Sequence, residues 1–321
     1  GQERIQASMA AAEKAMALAL ANAEESCYAE GLALLATGLA LQSRFAEARP
    51  WAERAFQSGV WEVQIHALIT LASCEQRIEE HVAITAQALQ IAQKHEDPYL
   101  ILMCTQQMAG SYENEGYYAA SLPYRDQALQ LAYAIQDAYQ IGEGHYLYGL
   151  IHAHVGLYAI AIEHFEHALL IAQEHNVAWL ERRVLNRLAR SHYCLGKLDT
   201  AYAFSLQVQA VLQQEKLHYP FSEFTYAQIL MGMMRWGEAE QILQQVLTHK
   251  RTDKAMVAVA RLPELAELAR LALWQGHSQQ ALIYVEEILD LVRTHPHISM
   301  PNLYFDAFAI DAACYEVLHA L

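Results

Sequence analysis

The residues best equipped for chemistry in this chain of 321 residues are arginines and histidines. Arg183, Asn186, Arg187 and Arg190 fall at i, i+3, i+4 and i+7, which is one stripe of an α-helix, and Arg182 adjoins them. Four basic residues thus crowd into the nine positions 182–190 of a strongly acidic protein. A guanidinium presents a planar N–H fork that matches carboxylate or phosphate. The stripe is therefore a candidate site for a peptide carboxylate, an acidic segment or a small anionic ligand. The competing reading is internal pairing, with Glu143 on a preceding helix or Glu181 on the same turn as the neutralising partner.

Histidine occurs 16 times. His164 and His167 lie three apart, interleaved with Glu163 and Glu166, and that pattern reads as a solvated helix face. His145 and His152, seven apart, share a face of the preceding helix, and His152 reads as a core histidine. HExxH is absent and three convergent ligands cannot be named, so no metal site is expected. GxSxG is missing, and no cysteine stands near a base in sequence. Paired carboxylates such as Glu24–Glu25 and Glu79–Glu80 fall at element ends, where they suit a helix N-terminus or a solvated turn. The expectation is a protein with no catalytic residues and no cofactor, hence not an enzyme.

The elements that must position the arginines are helical. Only 14 Gly and 7 Pro punctuate the chain. Ala, Leu, Gln and Glu dominate, and no run alternates with the period of two that a half-buried strand requires. The formal charge of −15 argues against direct nucleic-acid binding and against anionic membranes. No apolar run approaches the ~20 residues of a membrane span. The five cysteines are dispersed, odd in number and free of CxxC spacing. They read as small core residues in a reducing cytoplasm.

Three segments stand in close alignment, beginning at Ala88, Ala128 and Ala168, each 40 residues after the last. A turn signal keeps the same beat at Gly116, Gly156 and Gly196. Met234 and Gly276 continue it, and Ser43 and, weakly, Gln76 precede it. The intervals are 33, 40, 40, 40, 38 and 42. Apolar residues recur at helical spacing between these marks, which predicts about sixteen helices in antiparallel pairs, each of ~17 residues. One pair cannot bury its apolar stripe, so neighbouring pairs must stack.

The fourth complete repeat reads Tyr148-Gly149, Gly156, Tyr158, Ala161, Phe165, Ala168. The fifth reads Leu188-Ala189, Gly196, Leu198, Ala201, and the seventh Leu268-Ala269, Gly276, Ala281. This pattern resembles the tetratricopeptide repeat: a large then a small residue on the first helix, a Gly turn, and two spaced alanines on the second. The match is poor in the second repeat, where Ile69 and His81 occupy expected small positions. The period exceeds the usual 34 residues. Longer repeats of this kind resemble the MalT-like C-terminal arms of STAND and LuxR-type bacterial regulators, although no GxxxxGK[ST] stretch is present. The resemblance implies an all-α, right-handed superhelical solenoid over 1–321. It would have a leading helix of a truncated repeat at 1–24 and a capping helix at 298–321, within a longer protein.

In arrays of this family the first helix of each pair lines a concave groove. The resemblance therefore places Tyr146, Glu143, Gln106, Phe224, Gln228 and Arg270 on that wall with the Arg stripe, and Phe221 and Trp274 beside them. Arg183 and Arg187 resemble the last two positions of the family's carboxylate clamp, but Gln106, Gly110 and Leu147 depart from the other three. The function implied is a sensor or scaffold arm that binds a protein, a peptide or a small anionic ligand. Structural self-association as a homo-oligomer is the alternative.

Overall fold

The computed structural model describes residues 2–215, 220–252, 258–295 and 307–320. Among these are sixteen α-helices, one 3-10 turn at Ala258–Arg261 and no strand. The all-α tandem repeat read from the sequence is therefore the observed fold. The expected capping segment lies outside the described residues from 298 to 306, and its remainder forms the last helix.

Contacts divide the chain into two compact units, 1–140 and 141–321. The first holds α1 (Gln2–Asn22), α2 (Glu25–Leu41), α3 (Phe45–Phe56), α4 (Trp61–Ser73), α5 (Ile78–Lys94), α6 (Pro98–Asn114), α7 (Tyr118–Ala134) and the start of α8 (Ala138–His154). The second holds the rest of α8, then α9 (Tyr158–Glu174), α10 (Ala178–Cys194), α11 (Leu198–Glu215), α12 (Pro220–Gly232), α13 (Trp236–Thr252), α14 (Leu262–Trp274), α15 (Ser278–Thr294) and α16 (Ala307–Ala320). The even-numbered helices are the first members of the pairs. They adjoin one another directly: α2, α4 and α6 in one unit, and α10, α12, α14 and α16 in the other.

The turn signals do what their residue types suggest. Gly116, Gly156, Gly196 and Gly276 have φ between 72° and 80°, and Ser43 and Met234 take φ of 59° and 60° in the same slot. A left-handed residue there lets the chain cap the first helix and reverse: Leu157 N–H donates to the His152 carbonyl at 2.8 Å, for example. The reverse turns, from second helix to first, use the same device at Ala23, Gly59, Glu96, Gln136 and Asn176. The weak mark at Gln76 has no left-handed residue, and the helices before it, α3 and α4, are only 12 and 13 residues long. That shortening is why the repeat loses register there.

Small residues let the helices close on one another. On α9, Ala161, Phe165, Ala168 and Ala172 are fully buried. Gly149 on α8 sits against the Phe165 ring so closely that an added Cβ would lie 2.4 Å from it. The paired Leu188 and Ala189, and Leu268 and Ala269, are buried in the same way. The two largest apolar clusters described in the second unit lie around Phe165 and Leu180 and around Leu243, Leu265 and Val285. Among the described residues no helix is long and apolar enough to cross a membrane.

Candidate functional site

Leu180, Val184 and Leu188 pin one side of α10 into the core. That packing fixes where the remaining face of the helix points. Arg183, Asn186, Arg187 and Arg190 share that face, as the spacing predicts, and all four lie within the second unit. Arg183 holds its guanidinium 4.6 Å from the centre of the Tyr146 ring and 5.4 Å from that of Trp179. Arg187 lies 4.6 Å over Phe221 of α12. Stacking of this kind fixes the plane of the cation and strips part of its hydration. Arg187 is itself buried, at 8% exposure.

Arg190 belongs to a polar ladder that crosses the first helices. Its Nη1 donates to Gln228 Oε1 at 3.0 Å, and Gln228 Nε2 donates to Glu267 Oε1 at 2.8 Å. Beyond Glu267, Arg270 approaches that carboxylate at 3.8 Å and forms a two-pronged pair with Glu316 of α16, at 2.9 and 3.0 Å. Those hydrogen bonds hold the Glu316 carboxyl below the usual carboxylate range. Internal neutralisation thus describes Arg270, while Arg190 is held by the uncharged amide of Gln228. Gln228 and Glu316 each stand one repeat further on from the arginine they bind, and Glu181 accepts from Gln173 at 3.1 Å.

The other expected groove residues divide by burial. Tyr146 and Phe224 are core residues, 1% and 3% exposed, and Tyr146 offers Arg183 only its ring face. Phe221 is buried under Arg187, Glu143 is half-buried, and Trp274 is exposed near Trp236. Gln106 lies in the first unit, where its amide donates to Gln140 at 2.9 Å. A corresponding bond between first helices joins Thr37 to Thr70.

Buried side-chain atoms of the second unit that lack a hydrogen-bond partner include Asn186 Nδ2, His192 Nδ1, Gln209 Nε2 and Ser222 Oγ. Asn186 and Ser222 are each only 2% exposed. Asn186 Nδ2 and Gln209 Nε2 can only donate, and Ser222 Oγ and His192 Nδ1 can donate as well as accept, so acceptor groups would satisfy all four. A buried donor left unsatisfied costs about 1–3 kcal/mol. Only the i, i+3 spacing of Asn186 within the Arg stripe pointed to it in the sequence; Ser222 gave no signal.

The histidines depart from their sequence reading. His164 is not on a solvated face. It is half-buried, with its ring stacked against Tyr148 at 5.1 Å and His152 at 5.4 Å, and its Nδ1 is 3.1 Å from Nδ1 of the buried His145. His167 is exposed beside Glu163 and Glu166, and its ring stacks on His145 at 5.1 Å. The short turn at Gly156 folds α9 back along α8, which brings the two histidine pairs together. Burial, followed by the neighbouring imidazoles, pushes His145 down to about 4, and the same causes lower His164. Among the described residues no group of three His, Cys, Asp or Glu is arranged to hold a metal ion.

No family model matches the chain, and no curated protein matches it in sequence. Solved structures do match it in fold. Aspartyl phosphate phosphatase F from Bacillus subtilis aligns with a TM-score of 0.66 and 15% identity over 88% of this chain and 76% of its own. A Rap protein complexed with competence and sporulation factor aligns at 0.58 and 16% identity, covering 82% of this chain and 76% of its own. A STAND protein with a tetratricopeptide repeat sensor, from Pyrococcus horikoshii, aligns at 0.51 and 14% identity over 92% of this chain but 43% of its own. The fold is that of the tetratricopeptide repeat.

Proposed function

We propose that this chain is a non-catalytic binding repeat that takes up a protein or peptide along the first helices of its second unit. Acceptor groups of the partner, carboxylates above all, would meet α10 and α12. The observation that carries this reading is a pair of unpartnered groups able to donate. Asn186 Nδ2 and Ser222 Oγ are buried without acceptors, on the two helices that also hold Arg183 and Arg187 stacked on aromatic rings. A ligand rich in acceptors would supply the missing half of those hydrogen bonds, and aromatic residues beside arginine are the composition of interaction hot spots. In a longer protein we read the repeats as the sensor or scaffold arm of a signalling or transcription regulator. The complex of a Rap protein with its factor and the repeat sensor of the P. horikoshii protein, both of this fold, support that wider reading.

Fluorescence anisotropy tests the proposal with three fluorescein-labelled decapeptides: one rich in Asp and Glu, one rich in Lys, and one of Gly and Ser. The net charge of −15 works against the acidic peptide, so its preferential, saturable binding would identify a local site. The double substitution Arg183→Ala, Arg187→Ala should then weaken it at least ~10-fold, the loss of one charge-assisted hydrogen bond. Equal binding of all three peptides, or an affinity unchanged by the substitutions, would sink the reading.

A further inference from the structure

His145 and His164 face each other Nδ1 to Nδ1 at 3.1 Å across the α8–α9 turn. An N–H···N bond of this kind needs a proton on one nitrogen and a lone pair on the other. One extra proton on the pair can be tolerated, because an imidazolium still donates to a neutral ring. A second removes the last lone pair and sets two N–H groups against each other. The same two rings are stacked with His167 and His152, so further protons would bring like charges within a ring spacing.

We propose that this four-histidine stack is an acid-opened latch on the α8–α9 hairpin. The hairpin stays closed while the His145–His164 pair holds a lone pair, and it loosens when both rings are protonated. The latch stands apart from the binding site proposed for α10 and α12 and does not depend on it.

The surroundings favour the neutral, closed state. His145 is 9% exposed and faces His164 and His167. His164 faces His152 and His167, and Glu163 acts in the opposite sense. His152 donates from Nδ1 to the Tyr148 carbonyl at 2.9 Å, which directs any added proton to its Nε2. From α10, which packs on α9, His192 stacks on Phe204 and feels Lys197 and Glu166. The closed hairpin therefore refuses protons that an open one accepts near pH ~6.5. A group whose closed-state affinity for protons is depressed stabilises the closed form above that pH. Its contribution is lost as pH falls from ~6.5 toward the closed-state value of about 4.

Hydrogen exchange of the full chain, corrected for intrinsic rates, reads the opening directly. Between pH 7 and pH 5 the amides of residues 141–174 should open on the order of twentyfold more, the effect of His145 alone, while those of α14 and α15 change little. In His145→Phe, which keeps a ring on His167 but removes the titrating pair, the change should fall to a few-fold. Histidine 15N spectra of the unsubstituted protein supply a measurement that does not depend on the variant folding. One Nδ1 of the pair should carry a proton at pH 7, His145 should still be neutral at pH 5.5, and His164 should titrate below the ordinary histidine range. The latch is overturned if neither Nδ1 is protonated at pH 7, if both rings titrate near 6.5, if the hairpin is no more acid-sensitive than α14–α15, or if His145→Phe retains the full effect.

Discussion

Gln228 is the hinge of the polar ladder, and replacing it tests whether that ladder exists in solution. Its amide accepts from Arg190 at 3.0 Å and donates to Glu267 at 2.8 Å, so each bond has an ionised partner. Bonds of that kind contribute about 1.5 kcal/mol or more apiece. Gln228→Leu removes both and leaves Glu267, 7% exposed, with Arg270 at 3.8 Å as its remaining close cation. The extra apolar surface of leucine returns part of the loss because position 228 is half-buried. The expected net cost is about 2–3 kcal/mol, read in urea as a drop of about 1 M in the midpoint for a slope of 2–3 kcal/mol/M. Gln228→Glu provides the contrast. Its carboxylate would pair with Arg190 but face Glu267, a like-charge contact that raises the proton affinity of the folded state. This variant should therefore gain stability relative to the parent protein as pH falls, and by more than Gln228→Leu, in which the Glu267 carboxylate only loses a donor. A midpoint for Gln228→Leu within 0.2 M of the parent, a loss of no more than ~0.6 kcal/mol, would show that the two bonds contribute nothing and would refute the ladder.

Three further substitutions probe the frame that carries the site. Met234 is the one methionine among the described left-handed residues and is 79% exposed, so Met234→Gly should raise stability by about 0.5–1 kcal/mol in a thermal melt. Gly149→Ala puts a methyl group 2.4 Å from the ring of Phe165, which is fully buried, and should cost about 1–3 kcal/mol of urea stability. Lys250 donates at 2.8 Å to both oxygens of Glu264, which is fully buried, and Lys250→Met alone should cost about 3–5 kcal/mol by stranding that carboxylate. Lys250→Met combined with Glu264→Gln should recover most of this loss, a result that a double-mutant cycle reads directly.

The repeat was legible because its signals are local. A left-handed turn residue every ~40 positions and small residues at fixed offsets act within one hairpin, and a single sequence contains both. The face of each helix was legible for the same reason, since Arg183, Asn186, Arg187 and Arg190 do share one stripe. What each arginine touches was not legible. Arg190 finds Gln228 thirty-eight positions away, and Arg270 finds Glu316 forty-six positions away. Those partners are set by how one pair stacks on the next, and helical periodicity says nothing about stacking. Tyr146 shows the same limit from the other side: its position on a first helix matched a groove residue, yet packing against Phe165 buries its edge and leaves only a ring face for Arg183.

The histidine stack lies between these cases, because the turn that assembles it was visible. Tyr148 stands eight residues before Gly156 and His164 eight residues after it, so an antiparallel hairpin closed at that glycine must bring them level. Reading His164 and His167 along their own helix gives a solvated face, whereas reading them across the turn gives the contact with His145, Tyr148 and His152. Hairpin symmetry about a left-handed glycine is thus a stronger guide to such clusters than i, i+3 spacing. It applies wherever the turn is tight, as it is here with three residues between α8 and α9. The two polar features of the second unit follow different geometries for that reason. The stack arises within one hairpin and can answer to protons as a local unit, whereas the ladder arises between repeats, so a ligand that engages Arg190 on α10 would reach Glu267 through Gln228 of the next first helix.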